Sequence, residues 1–370
     1  MREGTDKTVS DTVGARDGSP ASAAVVRRVA VGLIVASLLV GAFLRFVRLG
    51  RVPPGWHPDE LSNLYDAYAI LTTGRDQYGH LLPLAFKAFG DYRMPLFIYS
   101  LVPLTAVFGM KPVLVRIGAA MWGMIDIGAI TALAGVTLGL PAAAAAAILG
   151  ALSPWHVPFS RYGIEATLAD ASVSLAILCF FLWVARPRSR WLVLSAILLG
   201  LSLYTYAVTK PIVPLMVALL GLTYRRELGR QRRMALIALG IIAVLAAPQA
   251  ALLWLHPEMM ARFRLLSIFS RGDPLLANLG AGWLSYFTPS FLFLTGDRGD
   301  HWTLIHPQGF GQLLPEQIPL ILLALLALFD ARRRKFAIVA FGWVMLAAVP
   351  AALTMPLAGC GKSLLRPFPA

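Results

Sequence analysis

Apolar runs of roughly 17 to 25 residues recur along this chain, the length an α-helix needs to cross the ~30 Å hydrocarbon layer of a bilayer. These runs constrain the fold more than any motif does. They are continuous rather than alternating, which argues against a transmembrane β-barrel. The composition agrees: 58% of the 370 residues are hydrophobic and 14% charged, where a soluble domain is roughly a quarter charged. The expected class is an all-α polytopic membrane protein.

A formal charge of +14 would suggest a nucleic-acid partner in a soluble chain. Here the basic residues cluster between apolar runs, at 186–190, 225–233 and 332–335. Membrane topology explains them, and no nucleic acid is expected. Arg27 and Arg28 precede the first run and place the amino terminus inside. Spans are expected at 29–46, 115–138, 141–157, 170–185, 191–208, 211–224, 234–253, 317–329 and 336–354. The run 95–109 is short for a crossing and suits an interfacial or re-entrant segment. Only if it does not cross do all three basic loops fall inside; about nine spans then follow, with the carboxyl terminus outside.

Residues 1–26 are polar and read as a disordered cytoplasmic tail. Residues 27–356 form the transmembrane domain, with long outer loops at 48–114 and 254–316, and 357–370 make a short outer tail. In the first outer loop Leu61, Leu64, Tyr65, Tyr68, Ala69 and Leu71 recur at helical spacing. They predict an amphipathic helix lying on the membrane surface.

This topology puts the informative polar residues on the outer face. Asp59 and Glu60 come first, beside Trp56 and His57. Adjacent carboxylates can divide into a base and a metal ligand, or a base and a hydrogen-bond anchor. Asp91 and Arg93 follow in the same loop. Arg93 can meet a lipid phosphate with a bidentate fork, or snorkel to headgroups. A third cluster holds Arg161, Glu165 and Asp170. Arg161 and Glu165 are spaced for a helix-surface ion pair, and Asp170 at a helix start would favour the positive end of the dipole. Lys210 lies in a tight outer turn, where cations are disfavoured, and is a candidate phosphate ligand or a snorkelled lysine. Asp297, Arg298, Asp300, His301 and His306 in the second loop match no metal spacing. Asp126 lies mid-span, where a charge is expensive, and the sequence names no partner for it. Cys179 and Cys360 give neither a disulfide framework nor a metal site.

The order of these motifs carries a resemblance. An outer loop opens with Asp59-Glu60 after the first span. Arg93 then stands before Pro95 and an apolar stretch. Ser153-Pro154, Ser160-Arg161 and Asp170 follow at a helix start, then Tyr204-Thr205-Tyr206 with Lys210-Pro211. Last comes Ser285-Tyr286-Phe287-Thr288-Pro289. Over roughly residues 30–355 this resembles the GT-C glycosyltransferases, in particular the protein O-mannosyltransferase and aminoarabinose transferase branch.

The resemblance implies a GT-C-like bundle of about nine helices with interfacial helices in the first outer loop. It implies a cell-membrane transferase that moves a sugar from a polyprenyl-phosphate donor to a protein, lipid or glycan acceptor on the extracytoplasmic face, with inversion. Asp59 then matches the catalytic or acceptor-positioning carboxylate, with Glu60 beside it, and Asp170 the second acid. Arg93 and Lys210 match phosphate-binding positions, with Asp91 and Arg161 as further substrate contacts. No cofactor is required; a divalent metal could be held by Asp59 and Asp170. The family's usual chain is longer, so this one reads as a short or truncated member. A membrane transporter or lipid flippase is the alternative, with Asp126 as its midplane charge.

Overall fold

The computed structural model describes residues 20–260, 263–264, 267, 275–296 and 309–354. The expectations for Asp297, Arg298, Asp300, His301, His306 and Cys360, and for the tails 1–19 and 357–370, lie outside the described residues.

The chain is an integral membrane protein built almost wholly of helices. Among the described residues, five helices are long and apolar enough to cross a bilayer: Ala23–Phe46, Val113–Leu138, Ala166–Ala185, Arg232–Leu255 and Arg334–Thr354. Shorter apolar helices fill most of the remaining expected positions. In chain order the site-bearing part runs α1 (Pro20–Phe46), α2 (Pro58–Thr73), β1 (Phe86–Ala88), β2 (Asp91–Arg93), α3 (Pro95–Phe108), α4 (Val113–Leu138), α5 (Leu140–Leu152), α6 (His156–Arg161) and α7 (Ala166–Ala185). Then come α8 (Ser189–Ser202), α9 (Thr209–Thr223), α10 (Arg225–Arg230) and α11 (Arg232–Leu255).

Several elements depart from the sequence reading, and three of them shape the part of the fold that holds the site. The first helix reaches back to Pro20, because Pro20-Ala21-Ser22-Ala23-Ala24 contains good helix formers and Pro suits a first turn. The expected span 141–157 is a 13-residue helix that stops at Leu152. Pro154 cannot supply the N–H that would continue it. The following residues fold instead into α6, a single short helix. The 86–93 hairpin was not expected; its turn places Phe89 and Gly90 both at positive φ, the backbone a two-residue hairpin loop needs.

Contacts sort the helix ends into two groups. At one end Trp183 Nε1 donates to Gln231 Oε1 at 3.2 Å, Lys335 pairs with Glu227, and Phe181 packs on Phe336 with ring centroids 5.4 Å apart. The three basic clusters therefore share one end, as their charge pattern requires. At the other end the close of α1 meets α6, and the start of α4 meets the α6–α7 junction. Both ends of α3 lie there too: Leu96 N donates to Tyr204 O at 3.0 Å, and Val113, just past α3, packs on Gly50. The segment 95–108 thus begins and ends on one side of the bundle.

The α2 helix is amphipathic, but not in the simple sense expected. Leu64, Ala67 and Ile70 are buried, together with Glu60, Asn63 and Asp66. Leu61, Tyr65, Tyr68 and Leu71 face outward, each 40–49% exposed. The inward polar residues are satisfied from elsewhere in the chain, Glu60 by Arg116 and Gly163 N, Asn63 by Arg93 and Gly163 O, and Asp66 by the backbone and side-chain N–H groups of Gln77, so the helix has apolar atoms on both faces.

Two glycines let the α6–α7 segment lie against α4. A Cβ at Gly163 would collide with Val115, and one at Gly123 with Ser160. Overpacking of this kind costs about 1–3 kcal/mol. Gly163→Val should therefore lower the melting temperature in detergent, whereas the same change at Gly128, which has open space around it, should not.

Candidate active site

The site grows from the first turn of α2. His57 caps the helix: its Nδ1 accepts from Asp59 N at 3.3 Å, while Glu60 Oε2 accepts from His57 N at 2.9 Å. Pro58 supplies a preset first-turn φ. The cap aims Glu60 inward and leaves Asp59 at the surface.

Glu60 is fully buried and spent. Arg116 grips it with Nε at 2.8 Å from Oε1 and Nη2 at 2.9 Å from Oε2; Gly163 N adds a bond to Oε1 at 2.9 Å. Burial pushes this carboxyl up, but the Arg116 fork and the N–H groups of His57 and Gly163 outweigh it and hold it below the usual carboxylate value. Arg116 uses its remaining donors on the carbonyls of Leu49, Pro53 and Gly55 and lies 4.0 Å from the Trp56 ring centroid. All five guanidinium N–H groups are thereby engaged. Glu60 was expected among the catalytic residues; the structure engages both of its oxygens in the interior.

Asp59 is different. Its carboxylate is 41% exposed, and Arg93 Nη2 holds Oδ1 at 3.0 Å. Arg93 Nη1 donates to Asp59 O at 3.0 Å and to Asn63 Oδ1 at 2.6 Å. Asn63 in turn donates to Gly163 O at 3.1 Å. Arg93 thus spends three of its five N–H donors and keeps two without a partner among the described residues. The hairpin brings it there, since Phe86 pairs with Arg93 across the strands.

Arg161 was expected as a substrate contact. It donates instead to Leu44 O, Val47 O at 2.9 Å and Val52 O at 2.8 Å, and so caps the open carbonyls at the end of α1. Nor does it pair with Glu165: a bend at Tyr162 and Gly163 breaks the helix between them.

Glu165, not Asp170, stands at the start of α7. It is half-buried, accepts from its own backbone N–H, and has no other hydrogen-bond partner among the described residues. Burial holds it above the usual carboxylate value, opposed by Arg93 and reinforced by Asp59 and Asp91. These four side chains therefore share one electrostatic neighbourhood. Sequence spacing pointed Glu165 at Arg161 and hid this.

Asp170 sits one turn deeper on α7, accessible yet surrounded by dense protein, near enough to Asp126 for the two charges to interact. Lys210 opens α9, half-buried, with no hydrogen-bond or ion-pair partner among the described residues. It lies six residues past Tyr204, whose carbonyl receives Leu96 N. Among the described residues no three His, Cys, Asp or Glu side chains group to hold a metal.

Behind the site, Asp126 has a partner. His156 Nε2 lies 3.0 Å from Asp126 Oδ2, and Arg45 Nη2 lies 2.8 Å from His156 Nδ1. Arginine only donates, so Nδ1 accepts and Nε2 carries the proton to Asp126. Arg45 spends its other donors on Ser160, Gly41, Ala151 and Gly150. This buried chain ties α1, α4 and α6 together.

Residues 93–254 match the sequence profile of a family described as dolichyl-phosphate-mannose-protein mannosyltransferase. No curated protein matches the chain. A solved structure, ArnT from Cupriavidus metallidurans bound to undecaprenyl phosphate, is 17% identical; the likeness covers 89% of this chain and 60% of that one, with a TM-score of 0.46. The chain thus spans less than two thirds of that solved protein. The family match begins at Arg93 and takes in Arg116, Arg161, Glu165, Asp170 and Lys210.

Proposed function

We propose that the chain is a glycosyltransferase of the cell membrane that moves a sugar from a polyprenyl-phosphate carrier to an acceptor hydroxyl on the extracytoplasmic face. The observation that carries this reading is the Asp59–Arg93 pair: an accessible carboxylate, fixed in place by an arginine with two donors that have no partner among the described residues. That combination can orient a hydroxyl and receive its proton beside a group that binds a phosphate.

The proposed reaction is a single displacement. The acceptor oxygen attacks the anomeric carbon, the bond from that carbon to the carrier phosphate oxygen breaks, and the configuration inverts. Asp59 takes the acceptor proton, and the carrier leaves as a phosphate anion. Arg93 and Lys210 stabilise the charge gathering on it. A phosphate is a weakly basic leaving group, so the scheme calls for no strong general acid and routes no step through a metal. Glu165 takes the place given to Asp170 as second acid: it shares the field of Asp59 and Arg93, and its burial makes it more basic than an ordinary carboxylate. Asp91, which shares that field, is a candidate for holding sugar hydroxyls.

Binding of undecaprenyl phosphate to the purified chain tests the phosphate site. A hydrogen bond to a charged group is worth about 1.5–3 kcal/mol, so Lys210→Ala should weaken binding by roughly 10- to 150-fold. Arg93→Ala should weaken it more than Arg93→Lys, since lysine keeps the charge but loses the fork. Unchanged affinity in both Lys210→Ala and Arg93→Ala would remove the phosphate from this end of the bundle.

A further inference from the structure

Two arginines stand at the first turn of α2, and they are held in opposite ways. Arg116 meets a buried carboxylate, Glu60, and spends all five donors there and on nearby carbonyls. Arg93 meets a neutral amide. Asn63 is 1% exposed; its Oδ1 accepts from Arg93 Nη1 at 2.6 Å, and its Nδ2 donates to Gly163 O at 3.1 Å. A single side chain thus joins α2, the hairpin and the bend that leads to Glu165. The next inward polar residue of α2, Asp66, spends its oxygens on Gln77 N and Gln77 Nε2, each at 3.1 Å. It is tied to the loop after α2 rather than to Arg93.

This arrangement decides which edge of the Arg93 guanidinium stays open. Asp59 takes the end edge: Nη1 donates to Asp59 O and Nη2 to Asp59 Oδ1, each at 3.0 Å. Nη1 has one more hydrogen, and Asn63 takes it. What remains is Nε–H and the outer hydrogen of Nη2, which have no partner among the described residues and lie parallel on the side edge. Arg116 grips both oxygens of Glu60 with that same edge, and it matches two oxygens of a phosphate equally well. Held by Asp59 alone, the guanidinium plane would be fixed at one edge only and could rock about it.

We infer that Asn63 is a positioning residue for the transfer: it locks the Arg93 guanidinium with its side fork open, and as a neutral amide it adds no second negative charge to the one on Asp59. The inference rests on the glycosyl-transfer reading, in which Arg93 binds the carrier phosphate, and adds to that reading the residue that aims the arginine. Asn63 is buried and acts through Arg93. Its loss should therefore appear in phosphate affinity beyond any change in stability.

Binding of undecaprenyl phosphate to the purified full chain tests this, measured per folded molecule beside the melting temperature in detergent. Asn63→Ala should weaken binding by about 10-fold, the lower end of what one hydrogen bond to a charged group is worth. Asn63→Asp keeps an oxygen for Arg93 but supplies the charge that asparagine spares it, so it should weaken binding as well. In an Arg93→Lys background Asn63→Ala should cost far less, because lysine has no fork to orient. Trp183→Phe removes a hydrogen bond to Gln231 at the other end of the bundle; it should lower the melting temperature and leave affinity unchanged. Wild-type affinity in either folded Asn63 variant would overturn the inference while leaving the phosphate site standing. So would an equal loss from Asn63→Ala in the wild-type and Arg93→Lys backgrounds. Unchanged affinity in Arg93→Ala would overturn the phosphate reading itself, and this inference with it.

Discussion

Asp59→Asn should lower turnover by about 100- to 10,000-fold, the usual worth of a positioned general base, while donor binding changes little. Asparagine keeps the size of the side chain and can still accept one bond from Arg93, so the α2 cap and the Arg93–Asn63 contact survive. What is lost is the ability to take a proton. Because that interaction is realised mainly in the transition state, the loss falls on kcat and kcat/KM together rather than on KM. Glu165→Gln probes the second acid. Burial raises Glu165; if its charged form is required, the acid limb of the pH–rate profile lies above the ordinary carboxylate range in wild type and shifts in this variant. An unshifted acid limb would remove Glu165 from the reaction.

Glu60→Gln should act on stability instead. Removing one partner of a buried ion pair leaves an uncompensated charge and costs about 3–5 kcal/mol, here the Arg116 guanidinium. Thermal unfolding in detergent should shift strongly downward, and Arg116→Met should do the same from the other side. The double replacement Glu60→Leu with Arg116→Met should cost less than the sum of the two single losses, since no lone charge remains. The pH dependence has a definite sign. A carboxyl depressed in the folded state stabilises the fold above its unfolded value, and that contribution is lost as pH falls through the folded value. Glu60 is depressed, so wild type should lose stability on acidification and Glu60→Gln should lose less. A Glu60→Gln protein as stable as wild type but without turnover would move Glu60 from the scaffold into the chemistry.

The fold was largely legible because hydrophobic run length and basic-loop parity are local signals. The grouping of Glu227, Gln231 and Lys335 at one end follows from where arginines and lysines interrupt the runs. Asp59 and Arg93 could also be picked out, as charges beside an apolar segment. What sequence could not show were pairings between distant helices. The Glu60–Arg116 fork and the Arg45–His156–Asp126 chain join residues 30 to 111 positions apart, and no spacing rule reports them. A signal was available: Arg45 and Arg116 each lie at the edge of an apolar run, where a charge must find partners. Glu165 was misread for the opposite reason. Its four-residue spacing from Arg161 is a helix rule, and the Tyr162-Gly163 bend removes the helix to which that rule applies.

The most direct test of the central claim is turnover per folded molecule with labelled polyprenyl-phosphate sugars and a panel of hydroxyl acceptors, following release of the carrier phosphate and the anomeric configuration of the product. The account predicts release of polyprenyl phosphate, a product of inverted configuration, and loss of both in folded Asp59→Asn. Normal turnover in folded Asp59→Asn, or a retained configuration, would contradict it.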